Sequence, residues 1–177
     1  MQRRTGLRRS RSWTTRPQRP GESDDAYCFV DREDFERHVE EGGFLEWVEY
    51  MGNLYGTPLP GADVTGGGGV TGDGDDGDEE LVLVIEVEGA AAVLEKVPRA
   101  RMILVVPPSP RMLAERMRAR GDDENHVAER VARAVEEEEV GRRLAHDVVV
   151  NDDLDRAVEE MAGILDRYRA ERGSPAS

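Results

Sequence analysis

Cysteine is nearly missing from this chain: Cys28 stands alone, so no internal disulfide can form, and a reducing compartment is implied. Its place between Tyr27 and Phe29 is that of a packed strand residue rather than a reactive thiol. Lysine is as scarce, because Lys96 is the single one among 24 basic residues. No apolar run approaches the roughly 18 residues that a membrane span requires. The arginine-rich start has no apolar segment behind it, which argues against a secretory signal and leaves a cytoplasmic location. Positive charge is short overall, with 38 acids giving a formal net charge of −14, so a nucleic-acid polymer would be repelled.

The 177 residues amount to one domain's worth of chain, with room for a mobile subdomain. Hydrophobic residues at 38% and charged ones at 35% describe a soluble, highly charged globular protein. Residues 1–9 read as a basic leader outside the fold, and 10–58 as a ligand-binding subdomain. Residues 59–80 form a Gly/Asp-rich loop: Gly61 to Glu80 holds eight glycines, seven acids and no base, a composition that maximises chain entropy and self-repulsion. The Gly66 to Gly69 run is not a phosphate loop, since no Lys-Ser/Thr follows it and acids stand where an anion would come.

The element pattern is that of an α/β protein. Ser12 to Thr15 and Tyr27 to Val30 read as short strands joined through a loop forced by Pro17 and Pro20. Asp31 caps a helix with Phe35 and Val39 on one face, closed by Gly42 and Gly43, and His38 is expected on its surface. Phe44 to Tyr50 alternates as a strand, with Phe44, Glu46, Val48 and Tyr50 on one face and a packed Trp47 on the other. Residues 81–106 form a core strand-helix-strand. Leu81 to Val87 is read as a strand buried on both faces, 89–97 as a helix, and Ile103 to Val106 as the next strand. In 107–146, Ser109 caps a helix begun by Pro110, and a long helix follows from about His126. Residues 147–177 hold a short strand and a final helix expected to bury Leu154, Val158, Met161, Ile164 and Leu165.

The chemistry gathers between Ser10 and Thr57. Arg16 and Arg19, three apart in a Pro-bounded loop, suit a phosphate, because a guanidinium offers a planar, permanently charged fork. The hydroxyls of Tyr27 and Tyr55 can complete its oxygens. Glu46 would accept from N1 and N2 of a guanine, and Ser12 or Thr57 would meet O6. Adenine would leave these groups unpaired, and sites built on hydrogen bonds reject such analogues strongly.

The blocks S-x-T-T-R-x-x-R-x-G-E (Ser12 to Glu22), F-L-E-W-x-E-x-x-G-N-x-Y-G-T (Phe44 to Thr57), P-P-S (Pro107 to Ser109), the pair Arg116 and Arg120, and V-V-N-D-D-L-D (Val149 to Asp155) resemble guanylate kinases, which transfer a phosphoryl group from ATP to GMP. The resemblance implies a P-loop kinase-like parallel sheet flanked by helices, a small mixed β subdomain for GMP, and a helical lid. It implies Ser12, Arg16, Arg19, Tyr27, Glu46, Tyr55, Thr57 and Glu86 at GMP, with dGMP a further candidate. Arg116, Arg120 and Arg130 would meet the transferring phosphoryl group and Asn151 the adenine of ATP, with Mg2+ alongside.

Three departures accompany the match. The family's first strand and G-x-x-x-x-G-K-[ST] loop do not occur in these residues, Val84 stands where an acid usually precedes Glu86, and Glu88 replaces a glutamine. The expectation is therefore retained GMP binding, an incomplete Mg2+ site, no useful turnover by these residues alone, and a natural polypeptide extending upstream of Met1. The alternative is a catalytically inactive GMP-binding or protein-interaction module of guanylate-kinase-like type.

Overall fold

Asp31 begins the first helix by accepting the Asp34 amide at 2.8 Å, and the chain leaves that helix through Gly42 at φ +68°. The computed structural model describes residues 6–59 and 80–173. The interior of the expected Gly/Asp-rich loop, the first five residues of the leader and the last four of the chain lie outside the described residues. The chain divides into two units, Met1–Pro98 and Arg99–Ser177. Unit 1 runs β1 (Leu7–Arg9), β2 (Trp13–Thr14), β3 (Cys28–Phe29), α1 (Arg32–Glu40), β4 (Phe44–Tyr50), β5 (Asn53–Pro58), β6 (Glu80–Val82) and α2 (Val87–Lys96). Unit 2 runs β7 (Ile103–Val106), α3 (Pro110–Ala119), α4 (Glu124–Leu144), β8 (Asp147–Val150) and α5 (Leu154–Gly173).

In unit 1 a mixed four-stranded sheet has the order β3-β2-β5-β4, with β2 and β3 parallel and the other pairs antiparallel. Its register assigns the faces. Phe44 pairs with Pro58 but Glu46 pairs with Thr57, so a bulge inserts one residue between them. Strict alternation would put Phe44 and Glu46 on one face; the bulge sends them to opposite ones. Phe44 joins Phe35 and Leu54 in a core that Trp13, Val30 and Val39 complete. Glu46, Val48 and Tyr50 share the other face with Tyr55 and Thr57, their partners or near neighbours on β5.

Two expectations about side chains here are overturned. Trp47 does not pack away but is 46% exposed, because the face opposite Glu46 is already filled by Phe35, Phe44 and Leu54. His38 is not a surface residue: its ring stacks on Trp13 at 4.4 Å and meets Phe44 edge-on at 4.5 Å, since i+3 from Phe35 it faces the same core.

Residues 6–9 are part of the fold, contrary to the expectation of a leader outside it. Leu7 to Arg9 pairs in parallel with Glu80 to Val82, and Ser10 N–H donates to the Val82 carbonyl at 2.9 Å. Arg9 donates to the carbonyls of Asp25 and Ala26, both at 3.0 Å, and Arg11 to those of Asp24 and Tyr27, so alternate arginines tie down the 24–27 loop. The buried strand expected over 81–87 is shorter. Its ladder ends at Val82, where β1 ends, and Val84 is 65% exposed because a two-stranded sheet cannot cover both faces. Glu86 then takes an extended N-cap conformation and α2 starts at Val87, two residues earlier than its composition suggests.

In unit 2, β7 and β8 pair in parallel from Ile103↔Asp147 to Val106↔Val150, with α3 and α4 in the crossover. Ser109 caps α3 by accepting the Met112 amide at 3.2 Å, with Pro110 in the first turn as its missing N–H allows. Asp123 caps α4 by accepting from Asn125 and His126. The buried face of α5 matches the expected one at Ile164, which packs with Ala157, Tyr168 and Val149, but not at Leu154 and Val158, which are 67% and 40% exposed. The spacing 157, 164, 168 is itself helical, and Tyr168 rather than Leu154 extends its face.

Candidate functional site

The mixed sheet of unit 1 carries an open cleft lined by Ser12, Tyr27, Glu46, Tyr55 and Glu86 among others. Five side chains singled out in the sequence thus meet at one place, although Ser12 and Glu86 are 74 positions apart (86 − 12). Thr14 pairs with Tyr55, so Ser12, two residues earlier on the same side of the strand, faces the cleft together with Tyr55.

Glu46 is the cleft's buried charge, at 4% exposure. Burial pushes its pKa above the ordinary carboxylate value, while the Thr57 hydroxyl and amide, with the charge of Lys96, work in the opposite direction. Among the described residues Thr57 Oγ1 has no partner of good hydrogen-bond geometry, although it adjoins that carboxylate. A buried carboxylate has room for several hydrogen bonds, and one facing an open cleft is suited to a ligand bringing N–H donors.

Arg16 lies at the edge of this group. Its Nη2 donates to both oxygens of Glu22, at 2.7 and 3.0 Å, and its guanidinium lies 5.5 Å from the Tyr27 ring and 5.6 Å from that of Phe29. Partial burial opposes the Arg16 charge, but Glu22 and Tyr55 together hold its pKa above the usual arginine value. Burial and the neighbouring Tyr55 raise the Tyr27 pKa, so its hydroxyl stays a donor at neutral pH. Arg19 is exposed; its backbone N–H donates to Glu22 at 3.0 Å.

Several contributors have no chemical signature of their own in the sequence. Glu22 accepts from Arg16 and from the Arg19 amide, and so fixes the turn between the two arginines; the one hint is its position closing the T-T-R-x-x-R-x-G-E run. Thr14 Oγ1 accepts the Arg16 amide at 3.1 Å and Thr15 Oγ1 the Leu54 amide at 2.9 Å, which anchors the loop that carries Arg16.

In unit 2, Arg116 and Asn151 are brought together, Arg116 Nη2 donating to the Asn151 carbonyl at 2.8 Å. Arg120, the C-cap of α3, pairs with Asp122 at 2.6 Å, and Arg130 lies half-buried on α4. Arg118 grips Glu124 through two bonds, at 2.7 and 2.8 Å, joining α3 to the first turn of α4.

Magnesium that accompanies a nucleoside triphosphate is held by the phosphates and one or two carboxylates. Among the described residues no group of three or more His, Cys, Asp or Glu converges on a metal position, and Val84 occupies the place two residues before Glu86.

A family model described as guanylate kinase matches residues 5–168. Among curated proteins, a guanylate kinase of Symbiobacterium thermophilum is 45% identical over 163 residues, which is 90% of this chain and 72% of that protein. One of Thermus thermophilus is 42% identical over 174 residues, 96% of this chain and 74% of its own. The solved guanylate kinase of Anaplasma phagocytophilum superposes with a TM-score of 0.72 at 30% identity, covering 96% of this chain and 78% of that one. Parallel strands flanked by helices, a mixed sheet bearing a carboxylate-floored cleft, and matches of this extent agree: the chain belongs to the guanylate kinase family, with its P-loop kinase-like fold.

Proposed function

We propose that the cleft of unit 1 binds GMP, and that the chain's role is phosphoryl transfer from ATP to that nucleotide, giving ADP and GDP. The carrying observation is the buried Glu46 carboxylate, 4% exposed, on one face with Ser12, Tyr55 and Thr57. Guanine offers it N1–H and N2–H together, and the 5′-phosphate would meet Arg16, Arg19, Tyr27 and Tyr55, with Glu86 at the rim. Sites of this kind discriminate strongly, because the wrong base leaves a buried charge unpaired.

Phosphoryl transfer asks the protein for position and for cancellation of charge on the moving group. Arg116, Arg120 and Arg130 are the groups to which that second task is assigned, with Asn151 beside the adenine of ATP. Guanidinium groups suit it, being always charged and able to donate along two edges. The ATP step also draws on Mg2+, which the phosphates of ATP and one or two carboxylates would hold.

A second reading, GMP binding without turnover, is favoured by one observation: Val84 stands two residues before Glu86, where the resemblance calls for a second acid. Calorimetric titration with GMP and AMP, beside a coupled assay for GDP formation, separates the two. Arg16→Ala and Glu46→Ala should each weaken GMP binding about tenfold or more, as loss of a charge-assisted contact does, while Arg120→Ala leaves it nearly unchanged and acts on turnover. No heat with any guanosine nucleotide would defeat both readings.

A further inference from the structure

The first turn of α2 lies against Glu46. A Cβ built on Gly89 would stand 2.6 Å from Glu46 Oε2, closer than any settled contact, and 3.1 Å from its carboxyl carbon. Gly89 is buried, and it does not adopt the left-handed conformation that makes glycine necessary elsewhere in this chain. Glycine in a helix is intrinsically less stable than alanine, so the backbone gives no reason for it here. The reason on the page is the carboxylate. Four and seven residues further along the same helical face, Val93 is buried and the Lys96 ammonium donates to the carbonyl of Leu45, which adjoins Glu46 on β4. That contact holds α2 along β4, so the turn at Gly89 cannot retreat without giving up the Lys96 bond.

We infer that Gly89 is a specificity-determining positioning residue: its bare backbone sets the depth at which the Glu46 carboxylate sits, and through it the preference for a purine with a 2-amino group. The inference rests on Glu46 reading guanine. A carboxylate displaced by the added methyl would lose the paired alignment with N1–H and N2–H. Hypoxanthine, which has N1–H but no 2-amino group, would lose less.

The test is titration of the full chain and its Gly89→Ala variant with GMP and with IMP, repeated in a Glu46→Ala background, with thermal melts of all four proteins. Gly89→Ala alone should weaken GMP about tenfold, the order expected when a charge-assisted hydrogen bond is misaligned, and IMP distinctly less, so the GMP:IMP preference narrows. In the Glu46→Ala background it should leave GMP affinity unchanged and raise the melting temperature, because the helix gains alanine and nothing is left to collide with. Unchanged GMP affinity and preference in the single variant would overturn the inference. So would a fall in melting temperature of equal size in both backgrounds, which would assign the glycine to the backbone. If the parent protein takes up no GMP, the reading of the cleft fails first, and that result is distinct from both.

Discussion

Arg16 and Glu22 are paired within the loop offered to the phosphate, the arginine donating to both carboxylate oxygens at 2.7 and 3.0 Å while Glu22 also accepts the Arg19 amide. The Arg16 hydrogen bond and the Arg19 amide hold the Glu22 carboxyl below the usual glutamate range, so it stays ionised well into acid. A free arginine carries up to about 2 kcal/mol of rotamer entropy, and here that cost is met before the ligand arrives. Glu22→Ala should therefore weaken GMP binding by roughly tenfold, the equivalent of part of that entropy, and leave guanosine, which has no phosphate, unaffected. Parallel titrations check it; an equal loss for both ligands would place the effect on the base instead.

Glu46 sets function against stability. Because burial raises its folded pKa above 4.5, the fold holds the neutral acid more readily than the unfolded chain does. The stability it contributes is full below the unfolded value and lost as pH rises through the higher folded one. At neutral pH the ligand-free protein thus carries a buried charge at a net cost, and Glu46→Gln should raise its melting temperature while weakening GMP binding about tenfold. GMP affinity of the parent should fall as pH drops through a value above 4.5, with the Gln variant insensitive there. Melts and titrations between pH 4 and 8, on the usual carboxylate scale, would reveal a flat parent profile if Glu46 is not the reader.

What could be read ahead of the structure follows from what each signal encodes. Caps and turns are local chemistry, so Asp31, Ser109 and Pro110 begin α1 and α3 where their side chains dictate. The span Phe44–Tyr50 was legible from alternation, but the bulge that separates Phe44 from Glu46 was not, because a bulge depends on the partner strand. The same limit explains Val84: an apolar run signals burial only if neighbours exist to cover it, and here the ladder ends at Val82. Ser12, Tyr27, Glu46, Tyr55 and Glu86 were recognisable by chemistry and by resemblance. Glu22, Thr14 and Gly89 were not, since their part is to hold another residue, and only coordinates show what is held.

Unit 2 has its own titratable clasp. Asp147, at the start of β8, accepts from the Tyr168 hydroxyl and from Arg167 on α5. Burial and the Asp147 bond push the Tyr168 pKa up to about 12. With the unfolded value near 10, its stabilising contribution is complete below that pH and lost as pH rises through about 12. Asp147 is shifted the other way, chiefly by the Arg167 and Tyr168 hydrogen bonds, so its share persists above 3.8 and fades as acid approaches its lower folded pKa. Tyr168→Phe should cost about 1.5–3 kcal/mol near neutrality, the value of a hydrogen bond to a charged group. Denaturant unfolding at pH 7 and pH 11 tests the pair, and a penalty that does not shrink in alkali would show that Tyr168 acts through packing alone.

The turn between β4 and β5 stores strain that a substitution can remove. Met51 and Gly52 form its two central positions, both at positive φ, +51° and +75°, between the paired residues Tyr50 and Asn53. That is the geometry of a two-residue hairpin turn, which favours Asn-Gly because an unbranched side chain with a carbonyl tolerates the left-handed region. For methionine the same conformation costs roughly 1–2 kcal/mol. The Asn53 side chain already donates to the Met51 carbonyl at 3.2 Å, so the turn is held against this cost. Met51→Asn should stabilise unit 1 by about 0.5–1 kcal/mol, while Met51→Gly gains less because the unfolded chain becomes more flexible. Neither should alter GMP affinity, since the turn lies at the far end of β4 from Glu46. Thermal melts with and without GMP would decide it, and an asparagine variant no more stable than the parent would mean that the hairpin relaxes around methionine at no cost.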